Sequence, residues 1–265
     1  MAVCKVEYFS EALRRFARFI AIIPNDLSMD MMNNNPHFSR PTKTLILLHG
    51  YTGSETEWLY NTPLRDLSCQ YNLAILLPNG GNSFYLNGPQ TGRKYSDFVG
   101  KELPEYAAQL FNLSSKRENT WIGGFSMGGF GALHTALAFP ERFSKVIAFS
   151  SALIQNSVAA MTPDTPEDMA NYDYYRLVFG DPGKLPVSAN NPEQLIRELQ
   201  ASGKEIPKIF FCVGTDDFVY ELNQHFREFL SRQGIPFQYV EGPGTHSFTF
   251  VRSQLETAVQ FLLEE

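Results

Sequence analysis

The sequence predicts an α/β fold, a mostly parallel doubly wound sheet with helices on both faces and a small helical insertion. Three observations carry that expectation. Continuous apolar runs of strand length recur, as in "TKTLILLHG", "NLAILLPNG" and "PKIFFCVGT", the pattern of strands buried on both faces. Stretches with apolar residues at helical spacing separate them, and such alternation implies a parallel sheet covered by helices. In "TWIGGFSMGGFGALHTALAFP", Thr120 to Pro140, an apolar run passes through a glycine-rich turn straight into a helical pattern.

The elements follow in order. Val3–Phe9 and Leu13–Ile23 alternate and read as an antiparallel strand pair, with Arg14 and Arg15 at a solvated strand end. "PNDLSMDMMNNNPHFSRP" is expected to be an irregular polar loop, because its asparagine run and prolines disfavour regular structure. "TKTLILLHG" and "NLAILLPNG" read as buried parallel strands. In "SDFVGKELPEYAAQLF", Phe98, Leu103, Ala107, Leu110 and Phe111 fall at roughly helical spacing. "NTWIGGF" is the next buried strand, and "SMGGFGALHTALAFP" a helix that stops before Pro140. "FSKVIAFSS" and "PKIFFCVGT" are further strands. Leu222, Phe226, Phe229 and Leu230 make a helical stripe closed by Gly234, at a position that favours the left-handed conformation. "PFQYVEG" is the last strand, and Val251, Leu255, Val259 and Leu262 mark the final helix. Residues 152–205 break the alternation. They hold helical pieces around "PEDMANYDYYRLVFG" and "PEQLIRELQ" but no strand, and read as a cap-like insertion over one end of the sheet within a single 1–265 domain.

Composition narrows the class. A chain of 265 residues with 43% hydrophobic content supports a sizeable core. A net charge of −6 argues against a broad nucleic-acid or anionic-membrane surface. The apolar stretch Phe19–Ile23 is too short for a signal peptide or a membrane span. The three cysteines, Cys4, Cys69 and Cys212, are scattered and odd in number. They read as free thiols in a reducing compartment, so a cytoplasmic location is expected. Asp26, Asp30 and His37 read as solvated loop residues rather than metal ligands. A homo-oligomer is compatible with all of this.

Gly124-Phe125-Ser126-Met127-Gly128 matches G-x-S-x-G, the strand-to-helix elbow that presents a nucleophilic serine on a strained backbone. Residues two positions either side of the serine pass close to the turn, where a Cβ would collide. Gly129 and Gly131 are expected to let the following helix lie close against the sheet. The helix start also points N–H groups to where negative charge would develop.

A serine needs a base to take its proton. Of the five histidines, His49 reads as loop-shaping, His134 as packed or half exposed within a helix, His225 as lying on the polar side of a helix, and His37 as a loop residue. His246 follows the last strand in "EGPGTHSFTF", in a loop that a doubly wound sheet opens beside the elbow. An acid must orient that histidine. "FFCVGTDDFVY" offers Asp216 and Asp217; the G-x-x-D spacing from Gly214 selects Asp217 and leaves Asp216 to cap the next helix. The order Ser…Asp…His is the one expected of this fold. Backbone N–H groups of Met127 and Tyr51 are the expected oxyanion donors, although both residues also read as ordinary helix and loop positions. Trp58, Phe84, Tyr85 and Phe218 sit in loops at the same edge, either lining a pocket or packing as core.

"LLHGYTGSETEW", "GGFSMGGFGALHTALAFPERF", "CVGTDDFVYELN" and "GPGTHSF", in this order, resemble the α/β-hydrolase esterases of the esterase D group, with the tributyrin-esterase-like carboxylesterases the nearest branch. The resemblance spans nearly the whole chain, including "VEYFSEAL". It implies a triad of Ser126, Asp217 and His246, short acyl esters as substrates, and no metal or organic cofactor. Relatives include S-formylglutathione hydrolases, acetyl-xylan and feruloyl esterases, and mycolyl transferases. S-formylglutathione hydrolases usually carry histidine before the nucleophile, where this chain has Phe125, and a cysteine near the oxyanion loop that "HGYTGSETEW" lacks. The expected function is a serine carboxylesterase working through an acyl-enzyme on a small ester. Esters linked to carbohydrate, a glutathione thioester and a non-catalytic binding module are the alternatives.

Overall fold

The structure is a computed structural model that describes residues 2–264; the two terminal residues of the expected 1–265 unit lie outside the described residues. Eight strands form one sheet: β1 (Ala2–Ser10), β2 (Arg15–Ile23), β3 (Lys43–Leu48), β4 (Leu73–Pro78), β5 (Thr120–Phe125), β6 (Lys145–Phe149), β7 (Lys208–Gly214) and β8 (Phe237–Gly242). Their order is β1-β2-β4-β3-β5-β6-β7-β8. The β1 and β2 pair is antiparallel, as is β2 with β4, and every pairing from β4 to β8 is parallel. The expected strands all form, because five of the apolar runs are buried along their whole length or all but one residue of it.

Helices cover both faces. One core packs Leu64, Leu67 and Tyr71 of Leu64–Tyr71 and the stripe Val251, Leu255 and Val259 of Phe248–Leu263 against the sheet. The other packs Phe130 and Leu133 of Met127–Ala138 with Leu195 of Pro192–Ser202 and Phe226 of Tyr220–Arg232. After β4 the chain returns to the other side of β3 to form β5. The carboxyl ends of β3 and β5 therefore flank a switch point, where open α/β sheets hold their ligands.

Two local expectations change. The polar loop holds a short helix, Met29–Asn33, and a 3₁₀ turn, Pro36–Ser39. Its polar residues act as caps: Ser28 Oγ accepts from Met31 N–H at 3.2 Å and Asn35 Oδ1 from His37 N–H at 2.9 Å. The helical pattern after Tyr95 is three continuous pieces, Tyr95–Asp97, a π turn Phe98–Glu102, and Leu103–Phe111. Pro104 lacks an N–H for the Gly100 carbonyl and its ring would strike that carbonyl in a regular α-turn; the wider π turn relieves both. Between β6 and β7 the chain runs through Gln155–Ala159, Tyr172–Phe179, the 3₁₀ turn Pro182–Val187 and Pro192–Ser202. No helix among the described residues is long and apolar enough to cross a membrane.

Candidate active site

Ser126 stands between β5 and the helix Met127–Ala138 with φ 57° and ψ −117°. A non-glycine residue at positive φ is uncommon and costly outside a site that over-determines it. Two backbone bonds hold it there: Ser126 N–H donates to Phe149 O at 2.9 Å, and Ala152 N–H donates to Ser126 O at 3.0 Å. The flanking glycines have a steric cause. A Cβ on Gly124 would lie 2.2 Å from Gly128 O, and one on Gly128 2.1 Å from Leu48 O. Gly128 thereby lets the helix start press against the end of β3. Gly129 lies against the end of β6, as expected, whereas Gly131 makes room for the Tyr85 ring from the loop after β4 rather than for the sheet.

The loops after β7 and β8 lock together. Thr215 N–H donates to Gly242 O and Asp216 N–H to Gly244 O, both at 2.9 Å. This brings Asp217 to His246, whose Nδ1 lies 2.9 Å from Asp217 Oδ1 and 3.0 Å from Oδ2. A carboxylate only accepts, so Nδ1 carries the proton and Nε2 is left as an acceptor. Nε2 lies 2.8 Å from Ser126 Oγ. Asp217 is further fixed by Val219 N–H on Oδ1 at 3.0 Å, and its side chain is fully buried. Asp216 is exposed, and the helix Tyr220–Arg232 starts without a side-chain cap, so the expected capping role of Asp216 is not found. Asp216 contributes its amide to the loop lock instead. The His246 ring lies between Phe125, at 4.7 Å, and Phe218, at 4.3 Å.

The loop after β3 faces the serine. Gly50 N–H donates to Glu57 Oε2 at 2.7 Å, Thr52 N–H to Asn82 Oδ1 at 2.8 Å, and Gly53 N–H to Gly50 O at 3.1 Å. Among the described residues, the Tyr51 N–H between them has no protein acceptor. Met127 N–H, at the first helical position, has no acceptor within its own helix. Glu57 sits under this loop, where burial pushes its carboxyl above the usual range while the Gly50 N–H opposes that shift. His49, expected to shape the loop, does so: Nδ1 donates to Gly50 O at 2.8 Å and Nε2 accepts from Gly80 N–H at 2.9 Å. Burial pushes its pKa down, so the ring is neutral.

A cavity of about 250 Å³ opens at Ser126, Met127 and Tyr51. Of the four loop aromatics, Phe84 and Phe218 line it. Trp58 and Tyr85 do not. Trp58 is buried in the core, with its indole N–H donating to Leu48 O at 2.9 Å and its ring packed on Phe149 and Phe248. Tyr85 is buried with its hydroxyl donating to His49 O at 3.2 Å. Ile154, Val158, Met161, Met169 and Tyr175, all from the 152–205 segment, form much of the wall.

The sequence pattern of the family described as "Putative esterase" matches residues 26–262. The chain belongs to this esterase family. An acetyl esterase of Caldicellulosiruptor saccharolyticus is 37% identical to it over 262 residues, which cover 99% of this chain and 98% of that protein. Among solved structures, the fluorophosphonate-binding serine hydrolase FphF of Staphylococcus aureus, with substrate bound, aligns at a TM-score of 0.85 and 28% identity, covering 100% of this chain and 99% of the other. The S-formylglutathione hydrolase FrmB of Staphylococcus aureus aligns at a TM-score of 0.82 and 26% identity, over 99% of both chains. The esterase has the α/β-hydrolase fold of these serine hydrolases and is a hydrolase of carboxylic esters.

The sequence assigned no role in the site to two of this esterase's side chains. Phe125 stood out only as the residue where S-formylglutathione hydrolases usually carry histidine, yet its ring packs tilted against the His246 ring. Glu57 looks like an ordinary polar residue of a loop. Its one signal is that it precedes Trp58, which marks the point where the loop turns back into the core.

Proposed function

We propose that the esterase cleaves short-chain acyl esters, acetyl esters foremost, through Ser126, His246 and Asp217 and an acyl-enzyme intermediate. The observation that carries this reading is the hydrogen-bonded series Ser126 Oγ, His246 Nε2, His246 Nδ1, Asp217 at 2.8 to 3.0 Å. His246 Nε2 takes the Ser126 proton as Oγ bonds to the ester carbonyl carbon. The carbonyl oxygen becomes an oxyanion that accepts from the N–H groups of Met127 and Tyr51. His246 then returns the proton to the alcohol oxygen as the C–O bond breaks. Water enters, gives a proton to Nε2, and attacks the acyl carbon; collapse frees the acid and restores Ser126. Asp217 holds the tautomer throughout and stabilises the imidazolium.

The preference for small acyl groups rests on the cavity and on similarity to the acetyl esterase. About 250 Å³ falls below the roughly 300–1,000 Å³ of sites for drug-sized ligands, and the walls are mostly apolar. The resemblance of its motifs to the tributyrin-esterase-like branch of the esterase D group supports the same reading. Its cysteines are unpaired, which suits the cytoplasm.

The test is a panel of p-nitrophenyl acetate, butyrate and octanoate beside methyl ferulate and acetylated xylo-oligosaccharide, with fluorophosphonate labelling in parallel. Acetate and butyrate are expected to lead, with one fluorophosphonate per chain on Ser126. Ser126→Ala should lose both label and ~10⁴–10⁶ of kcat. Absence of an adduct on Ser126 in folded protein would overturn the mechanism, and a preference for methyl ferulate would overturn the substrate class.

A further inference from the structure

The sheet ends on one side at β1, whose only strand partner among the described residues is β2. It is a long edge: nine residues pair with β2 in unbroken register, without proline or bulge. Proteins usually blunt such edges, because the free N–H and C=O groups on the outer side are a template for another strand. This one carries the charges of Lys5 and Glu7 but is flanked by exposed apolar side chains: Val3 is 40% exposed, Phe9 48% and Phe16 63%. Phe9 and Phe16 are cross-strand partners with rings 5.9 Å apart. Val3, Lys5, Glu7 and Phe9 alternate along one face of β1, and all four are exposed.

That face is complementary to itself. When β1 pairs antiparallel with β1 of a second copy about a twofold axis normal to the sheet, each face meets the same face, and the axis must pass midway between one residue and the same residue of the second copy. Centred on Val6, the register puts Lys5 opposite Glu7 of the second copy and Val3 opposite Phe9, twice over by symmetry. Centred one residue earlier, Lys5 meets Lys5; one residue later, Glu7 meets Glu7. Like charges directly opposite destabilise a strand pair, so both neighbouring registers are penalised. Glu7 already accepts from Arg18 at 2.6 Å through Oε2; Lys5 of the second copy would find the other oxygen. Phe9 and Phe16 would receive Val3 at each end.

We propose that the esterase forms a twofold dimer through antiparallel β1–β1 pairing centred on Val6, which joins two sheets into one. The dimer is isologous, as a closed twofold contact requires. It leaves Ser126, at the carboxyl ends of the inner strands, untouched, and it stands or falls independently of the substrate assigned above.

Light scattering coupled to size exclusion across a concentration series tests it, with p-nitrophenyl acetate turnover as the check that each variant is folded. The wild-type chain should run at twice its own mass. Lys5→Glu and Glu7→Lys should each turn two attractive pairs into two repulsive ones and weaken dimerisation by at least ~10-fold, with kcat unchanged. The double variant carrying both changes should recover the dimer. Val6→Cys reads the register directly: opposed residues of an antiparallel pair have Cα atoms about 4.5–5.5 Å apart, within disulfide range. That variant should form a covalent dimer on oxidation, and the wild-type chain should not. A monomeric wild-type chain, a dimer indifferent to both charge reversals, or a dimer that Val6→Cys does not cross-link would overturn the proposal.

Discussion

Replacing Asp217 by asparagine changes one atom and keeps the side chain's volume, and its consequence follows from three distances. Asp217 Oδ1 accepts from Val219 N–H at 3.0 Å, so the asparagine must keep its carbonyl oxygen at that position. Its NH₂ then occupies the place of Oδ2, 3.0 Å from His246 Nδ1. A donor there opposes the Nδ1–H, which keeps only the neutral Oδ1 carbonyl as an acceptor, so the balance shifts to the tautomer in which Nδ1 accepts from the NH₂ and the ring proton sits on Nε2. Nε2–H then faces Ser126 Oγ across 2.8 Å and has no lone pair to receive its proton. The side chain is fully buried, so water cannot restore the missing acceptor. The expected loss is ~10⁴ in kcat, equivalent to about 5.5 kcal/mol of transition-state stabilisation. Asp216→Asn is the matched control. Asp216 is exposed and serves the site only through its backbone N–H, so its replacement should stay within about twofold. The assay is kcat on p-nitrophenyl acetate for both variants, with circular dichroism to establish the fold. Loss of less than tenfold in Asp217→Asn, or equal losses at the two positions, would refute the assignment of the acid and the tautomer argument with it.

Glu57→Ala should lower kcat with little change in KM, because Gly50 loses its acceptor and the Tyr51 N–H is no longer held toward the serine; losing one oxyanion donor outright costs ~10²–10³, which sets the ceiling. Glu57→Gln keeps an oxygen for Gly50 and should retain most of the activity, and unchanged kcat in the alanine variant would contradict the role. Gly128→Ala puts a Cβ 2.1 Å from Leu48 O, so the helix start must back away from β3, at about 1–3 kcal/mol; a thermal melt should show Tm lowered by several degrees, together with lost activity. His134 is buried, bonds to Ala189 O at 2.9 Å, and has its pKa pushed down by burial to about 4. The unfolded chain, with histidine near 6.5, binds the proton more tightly, so this stabilisation is whole above pH 6.5 and is lost as pH falls toward 4, by about 3 kcal/mol at most. Urea titrations at pH 7 and pH 4.5 should show that His134→Gln loses less stability between the two than the wild-type chain does; an equal loss would count against it.

The parts of this esterase that could be read from the sequence are those fixed by local sterics or by burial on both faces. The elbow is visible because Gly124 and Gly128 collide with main-chain atoms within a few residues or at the neighbouring strand, so the motif is nearly its own structure. The five inner strands β3 to β7 are visible because burial along nearly their whole length demands unbroken apolar runs. Asp217 is distinguishable from Asp216 because two adjacent acids cannot both face one histidine and the G-x-x-D spacing from Gly214 selects the second. The loop aromatics lacked any such constraint. Trp58 and Phe218 both follow strand-end loops in chemically similar surroundings, and only the tertiary fold sends one under the sheet to donate to Leu48 O and leaves the other 68% exposed beside His246. The contrast is sharpest at Glu57 and Trp58. They begin the same five-residue helix, Glu57–Asn61, and successive residues of a helix point about 100° apart. Once the large indole is drawn into the core, the carboxylate beside it is turned up into the β3 loop, where Gly50 N–H meets it at 2.7 Å. The conspicuous residue of the pair thus anchors the helix, and the inconspicuous one reaches the site.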